Sequence, residues 1–456
     1  YHDRFPGIME WYGSEINRFN TWYSQADSWI NYLKRCHYML QQGSYVADVA
    51  YFIGEDVPVM TGKRDPELPD GYLYDYVNAE VLMSAGVKDG RLVLGSGMKY
   101  EILVLPDLPT MTPGLLEKIT ELVDDGAKLL GPAPERSPSL KNYPECDEKV
   151  RKMAGVLWDK DQKINTYGKG RVYRDMTLEE VFADLQIIQD FTLDGDDIVW
   201  THRHKEGLDI YFVSNQTGER KNIRPGFRIN GRQPELWNAI DGSSRLLPEF
   251  TEERKTTFVP LTLEPYQSFF IVFKDEIQAV KGENFPEPIN RNPIEGDWEV
   301  QFDPTMRGPE IPVLFPELID WKDHSNEEIK YFSGSAIYSK DFNLNEIPQG
   351  EAYLDLGKVE VMASIKLNGR KMGGVWTPPY RVNITGALKE GKNSLEIEVV
   401  NLWMNRLIRD RDLPEEDRLT WLSLGHEVID EDKDLFSSGL LGPVCIDYMD
   451  FKEFEN

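Results

Sequence analysis

The chain has 456 residues, room for about three or four domains at roughly 100–200 residues each. Its formal charge of −27 excludes a basic nucleic-acid footprint and disfavours an anionic membrane surface, since phosphate is repelled over most of the molecule. Hydrophobic residues at 40% and aromatics at 11% exclude a disordered polymer, and no apolar run approaches the roughly 20 residues of a membrane span.

Residues 1–24 are irregular and crowded with Tyr, Trp, His, Asn and Arg. From residue 25 to 42 the pattern is helical: Trp29, Tyr32, Leu33, Cys36 and Leu40 recur at spacings of three and four, and Gly43 stops them. Residues 46–52 predict a buried strand, 72–84 a helix and 101–106 a second strand. Thr112-Pro113 opens a helix with Leu115, Leu116, Ile119, Leu122 and Val123 on one face, and 127–130 is a third strand. This βαβ rhythm predicts an open, doubly wound α/β domain with a parallel sheet over residues 46–189. Gly95-Ser96-Gly97 precedes a strand instead of opening a helix, and no GxxxxGK[ST] occurs, so the domain carries no nucleotide fingerprint. Thr177 and Glu180 have capping-box spacing at the start of a short helix.

After residue 190 the texture changes to short alternating runs. Residues 197–203 and 208–215 predict a hairpin around Lys205-Glu206-Gly207, and 227–229, 257–261 and 268–273 complete a small β-sandwich over 190–280. Residues 276–295, rich in Pro, Asn and charge, read as a linker. Alternating runs at 336–342, 352–356, 363–367 and 394–400, with Asn368-Gly369 as a hairpin turn, predict a larger jelly roll within 281–456. Cys36, Cys146 and Cys445 are far apart and form no CxxC, so neither a disulfide framework nor a cysteine zinc site is expected.

The last block carries more than a pattern. Asp355-Leu356-Gly357, Leu367-Asn368-Gly369-Arg370, Gly374-Val375-Trp376-Thr377-Pro378-Pro379-Tyr380-Arg381, Gly391-Lys392-Asn393 and Val400-Asn401-Leu402-Trp403 fall in an order that resembles the galactose-binding-like jelly roll of glycoside hydrolase family 2. Asn20-Thr21-Trp22-Tyr23, residues 38–43 and Val46-Ala47-Asp48-Val49 resemble the end of the catalytic barrel of glycoside hydrolase family 106. Ile210 to Asn215, Gln233 to Trp237 and Leu263 to Ser268 resemble the modules that follow it. This resemblance implies α-L-rhamnosidases that invert anomeric configuration, use calcium and no organic cofactor, act on oligo- or polysaccharide, and work in the bacterial periplasm or outside the cell. It makes residues 1–45 the C-terminal remnant of a (β/α)8 barrel. Such a barrel takes about 250 residues, so the acid and base carboxyls are expected upstream of Tyr1 and the chain alone is expected to be inactive. Two other readings are a non-catalytic carbohydrate-binding or scaffold protein, and a family 2-like β-galactosidase-type hydrolase. Oligomeric state is left open.

On the same resemblance, His2, Trp11, Asn20 and Trp22 line a sugar subsite: aromatic faces stack on C–H faces while His and Asn bond hydroxyls. Glu10 and Glu15 are the two carboxylates nominated for a catalytic test. Trp376 and Arg381 are nominated for sugar contact on the jelly roll, with bracing of the barrel as the competing role. Asp303, Asp320, Asp323 and Asp355 are the candidate calcium feeders, although no DxDxDG loop exists. Asp194-Gly195-Asp196-Asp197 reads as a solvated turn, and His202 and His204 as a solvated strand face.

Overall fold

Val49-Ala50-Tyr51-Phe52 is apolar at every position, as a strand covered on both faces must be. In the computed structural model it lies inside a six-stranded sheet. The structure describes residues 4–6, 9–10, 13–14, 16–55, 64–159, 161–193, 195, 197–278, 281–347 and 350–449, with backbone alone at 9–10 and 13–14. The sheet runs Ile164–Tyr167, Gly170–Tyr173, Lys128–Leu130, Ile102–Val104, Val49–Phe52, Tyr74–Val77, and every pair is parallel except the first. Alternate residues feed opposite layers. Ala50, Phe52, Leu103, Leu129 and Val172 pack on the helices Pro113–Asp125 and Glu145–Leu157. Val49, Tyr51, Ile102, Val104 and Tyr173 pack on Leu178–Leu185, which Thr177 and Glu180 close with a full capping box. The helix expected over 72–84 is corrected: Tyr74–Val77 is the edge strand and only Ala79–Met83 is helical, because alternating Tyr side chains cover the sheet while Asn78 caps the helix that follows.

The next unit pairs antiparallel. Its larger sheet runs Ser244–Leu246, Pro234–Trp237, Ser268–Phe273, Leu208–Asn215, Ile198–Lys205, Ser44–Tyr45. It faces strands Phe191–Thr192, Gly226–Phe227 and Thr256–Phe258 across a core of Phe191, Tyr211, Phe227, Ile271 and Phe273. The outer face of the larger sheet is covered in turn. Cys36 and Met39 of the helix Asp27–Leu40 pack on Ile210, Phe270 and Val272.

The C-terminal unit is a sandwich of a six-stranded and a four-stranded antiparallel sheet. The first runs Val313–Phe315, Trp298–Phe302, Ser335–Leu344, Gly391–Val400, Met362–Leu367, Arg370–Val375. The second runs Asn290–Pro293, Cys445–Met449, Glu351–Asp355, Arg381–Asn383. The linker expected over 276–295 is thus corrected at its end: Asn290–Pro293 is an edge strand, where proline's missing N–H is tolerated. Trp298, Trp321, Phe302, Phe332 and Tyr338 fill the core.

Gly43 joins the helix Asp27–Leu40 to the sandwich edge at φ +57°, and a Cβ there would stand 2.1 Å from the His204 carbonyl oxygen. Gly43→Ala is expected to destabilise the chain by about 2 kcal/mol or more, measured by denaturant unfolding. An unchanged midpoint would show that the junction is free to relax.

Candidate functional site

A groove of about 2280 Å³ lies where the helix Asp27–Leu40, the β-sandwich and the jelly roll meet. Its floor is the outer face of the four-stranded sheet. Strand alternation decides this: Ala352, Leu354, Ile446 and Tyr448 point into the core, so their neighbours point out. Arg291 and Tyr353 flank Asp447 in register, and Asp355 pairs with Arg381. Arg291 reaches Asp355 at 3.3 Å and Asp447 at 3.5 Å. The Asp447 side chain is 1% exposed, and neither carboxylate oxygen has a hydrogen-bond partner. Burial pushes its pKa up, with Arg291 opposing. Tyr353 donates to Glu351 at 2.6 Å, and the Arg381 guanidinium lies 5.8 Å from the Tyr353 ring centre. On the opposite wall Arg245 lies over Phe285 at 5.1 Å, and burial lowers its guanidinium to about 10.

Of the residues nominated from sequence, Arg381 and Asp355 line this groove. Trp376 meets Tyr32 edge to face at 5.8 Å and so fills the seam between helix and jelly roll. Trp22 packs edge to face on Trp29 at 6.0 Å. Asn20 is buried and its side-chain oxygen accepts from the Asn17 amide at 2.7 Å, which shapes a turn. That turn sits where the segment is tied to the jelly roll. Phe5 stacks on Trp403 at 5.0 Å, Trp403 donates to the Phe19 carbonyl at 2.7 Å, and the Thr21 hydroxyl donates to the Asn401 carbonyl. His2, Trp11 and Glu15 lie outside the described residues, as does the Glu10 side chain.

A second polar cluster sits at the joint between the α/β domain and the sandwich, and it corrects the reading of His202 as part of a solvated face, while His204 beside it is exposed. His202 is buried, stacked on Tyr211 at 3.9 Å, with Nδ1 2.9 Å from Asp190 and Nε2 3.2 Å from Asp209. His204 reaches the same Asp209 at 2.6 Å. Arg228 bridges the units, donating to Asp48 at 2.9 Å and lying 3.4 Å from Asp190. Burial opposes charge on His202, yet Asp190 and Asp209 hold its pKa above the ordinary value. Burial likewise opposes charge on Asp190, but His202, Arg228 and Tyr211 bring it below the usual range. Burial pushes Asp48 up to about 6 in spite of Arg228. The cluster is enclosed by its own partners, so it reads as a joint and not as a reaction centre. The hairpin register carried the signal: around Lys205-Glu206-Gly207, His204 falls opposite Asp209.

The four aspartates nominated for calcium do not converge. Asp303 caps Thr305 at 2.9 Å, Asp320 holds the Ser438 amide at 2.9 Å, Asp355 holds the Gly357 amide at 2.8 Å, and Asp323 is exposed. Among the described residues no three His, Cys, Asp or Glu side chains form a metal-binding group. Asp194 and Asp196 lie outside them.

Residues 1–251, more than half of the chain, match the glycoside hydrolase family 106 sequence model, described as α-L-rhamnosidase. The chain belongs to that family. Within the family 106 chain, residues 321–426 also match the galactose-binding-like domain of glycosyl hydrolase 2. The solved rhamnosidase of Novosphingobium sp. PP1Y is 31% identical and superposes with a TM-score of 0.87 over 98% of this chain and 43% of that one. A Formosa agariphila protein named "Putative beta-glucuronidase" is 25% identical over 98% of this chain and 59% of its own length. The family 106 chain therefore spans less than two thirds of either relative. Among its described residues no helix is long and apolar enough to cross a membrane.

The joint makes a signed prediction. His202 has a folded pKa above its unfolded value of about 6.5. Its stabilisation is full below that value and is lost as pH rises through the folded pKa. His202→Gln should therefore show a larger deficit in Tm at about pH 6 than at about pH 9. Equal deficits in thermal melts would mean that the buried imidazole carries no charge.

Proposed function

We propose that this chain is the C-terminal part of a glycoside hydrolase that removes terminal α-L-rhamnosyl residues from an oligo- or polysaccharide by inverting hydrolysis. The observation that carries the reading is the 31% identity and 0.87 TM-score to a solved rhamnosidase over nearly the whole chain, together with the family match over residues 1–251. In this reading a (β/α)8 barrel ahead of residue 1 supplies the reaction centre. Inversion takes one carboxylic acid to protonate the departing oxygen and one carboxylate to activate water, about 6.5–9.5 Å apart. No described carboxylate pair of this chain is assigned those roles, and a calcium ion would likewise be held by residues other than Asp303, Asp320, Asp323 and Asp355. A polymeric substrate goes with a periplasmic or extracellular site of action.

The part played by the described modules is mechanical. Phe5, Phe19, Thr21 and Gln25 are fixed on the jelly roll by Trp403, Asn401 and Glu398, and the helix that follows is fixed on the sandwich by Cys36 and Met39. A barrel joined to that segment is held at its closing edge. The Formosa protein's name favours a second reading, hydrolysis of a β-glucuronide.

Aryl glycosides separate these readings. The full-length polypeptide is expected to cleave an aryl α-L-rhamnoside, to release the β-anomer first by proton NMR, and to lose activity to a calcium chelator, while residues 1–456 alone show no turnover. Cleavage of an aryl β-D-glucuronide instead, or turnover by the isolated chain, would overturn the proposal.

A further inference from the structure

We propose that the outer face of the four-stranded jelly-roll sheet is a binding site for a neutral saccharide, with Asp447 as the acceptor of its hydroxyl groups. The argument begins from Asp447 itself. A carboxylate with 1% exposure ordinarily takes several donors, yet both of its oxygens lack a hydrogen bond, and its ion pair with Arg291 is long, at 3.5 Å. The residue borders the groove. Paired hydroxyl groups are donors of the kind this carboxylate lacks.

The surroundings select the ligand class. Asp355, Asp447 and Glu351 are offset in part by Arg291 and Arg381, which leaves the floor with a small negative charge. A metal cation is disfavoured because Arg291 stands between the two aspartates and no third ligand joins them among the described residues. An anionic ligand meets Asp447, Asp355 and Glu351 together. What remains is an uncharged molecule that donates to Asp447 and accepts from a guanidinium. Arg291 is the cover: its side chain is 48% exposed, its contacts with Asp355 and Asp447, at 3.3 and 3.5 Å, are long for a charge-assisted pair, and Cys445 holds it as well, so it is the group that moves when a ligand reaches Asp447. The inference rests on the carbohydrate reading above but not on which glycoside is cleaved.

The test uses residues 1–456, titrated calorimetrically with L-rhamnose, D-galactose and sodium D-glucuronate, on the parent protein and on Asp447→Asn. At least one neutral sugar is expected to bind with a Kd of about 1–10 mM, glucuronate is expected not to bind, and Asp447→Asn should weaken binding at least tenfold. Its Tm should be equal to or above the parent's, because an unsatisfied buried charge has been removed. Three results would overturn the site: no neutral sugar bound up to about 50 mM, unchanged binding in Asp447→Asn, or a lowered Tm, which would make Asp447 a structural partner of Arg291. Sugar binding here without rhamnoside turnover by the full-length polypeptide removes the rhamnosidase reading alone. Turnover without binding here removes this site alone.

Discussion

The helix Asp27–Leu40 is buried on two sides, and the placement of everything around it follows from that. Cys36 and Met39 sit on the outer face of the sandwich sheet, while Tyr32 meets Trp376 of the jelly roll. Two β units that pair no strands with each other are thereby held at one angle. The groove is the space they leave beside the helix. A single amphipathic helix cannot stand alone in water; here its apolar stripe is the seam.

The two polar clusters differ in how fully their charges are matched. At the joint, Asp190, His202, Asp209 and Arg228 pair with one another, and burial strengthens each contact because little water competes, although one oxygen of Asp48 has no hydrogen-bond partner. In the groove, Asp447 is equally buried but left without a donor. A satisfied network fixes the angle between domains. An unsatisfied carboxylate stores a cost that a fold keeps where something else is meant to bind.

Much of the architecture was legible because hydrophobic period is a local signal. The alternation of Val49 to Phe52, the helical spacing from Leu115 to Val123 and the capping pair Thr177 and Glu180 each report one element without help from the rest. Tyr74 to Val77 failed that test: tyrosines suit a strand or an aromatic helix face, and only pairing with Val49–Phe52 decides. The site was harder to read. Trp376 and Trp22 looked like stacking platforms, and both became packing at seams, since an aromatic face is equally apt for a sugar and for another ring. Asp447 was missed because it lies in a short final strand, where Ile446 and Tyr448 alone give the alternation.

The central claim is that the carboxyls of hydrolysis lie outside residues 1–456 and that these residues hold the barrel which carries them. A crystal structure of the full-length polypeptide with a non-hydrolysable α-L-rhamnoside tests it most directly. The expected result is two carboxyl groups from upstream strands about 6.5–9.5 Å apart across the anomeric carbon, with Phe5 and Phe19 still docked on Trp403. A carboxylate from within this chain at hydrogen-bond distance of the glycosidic oxygen would contradict it.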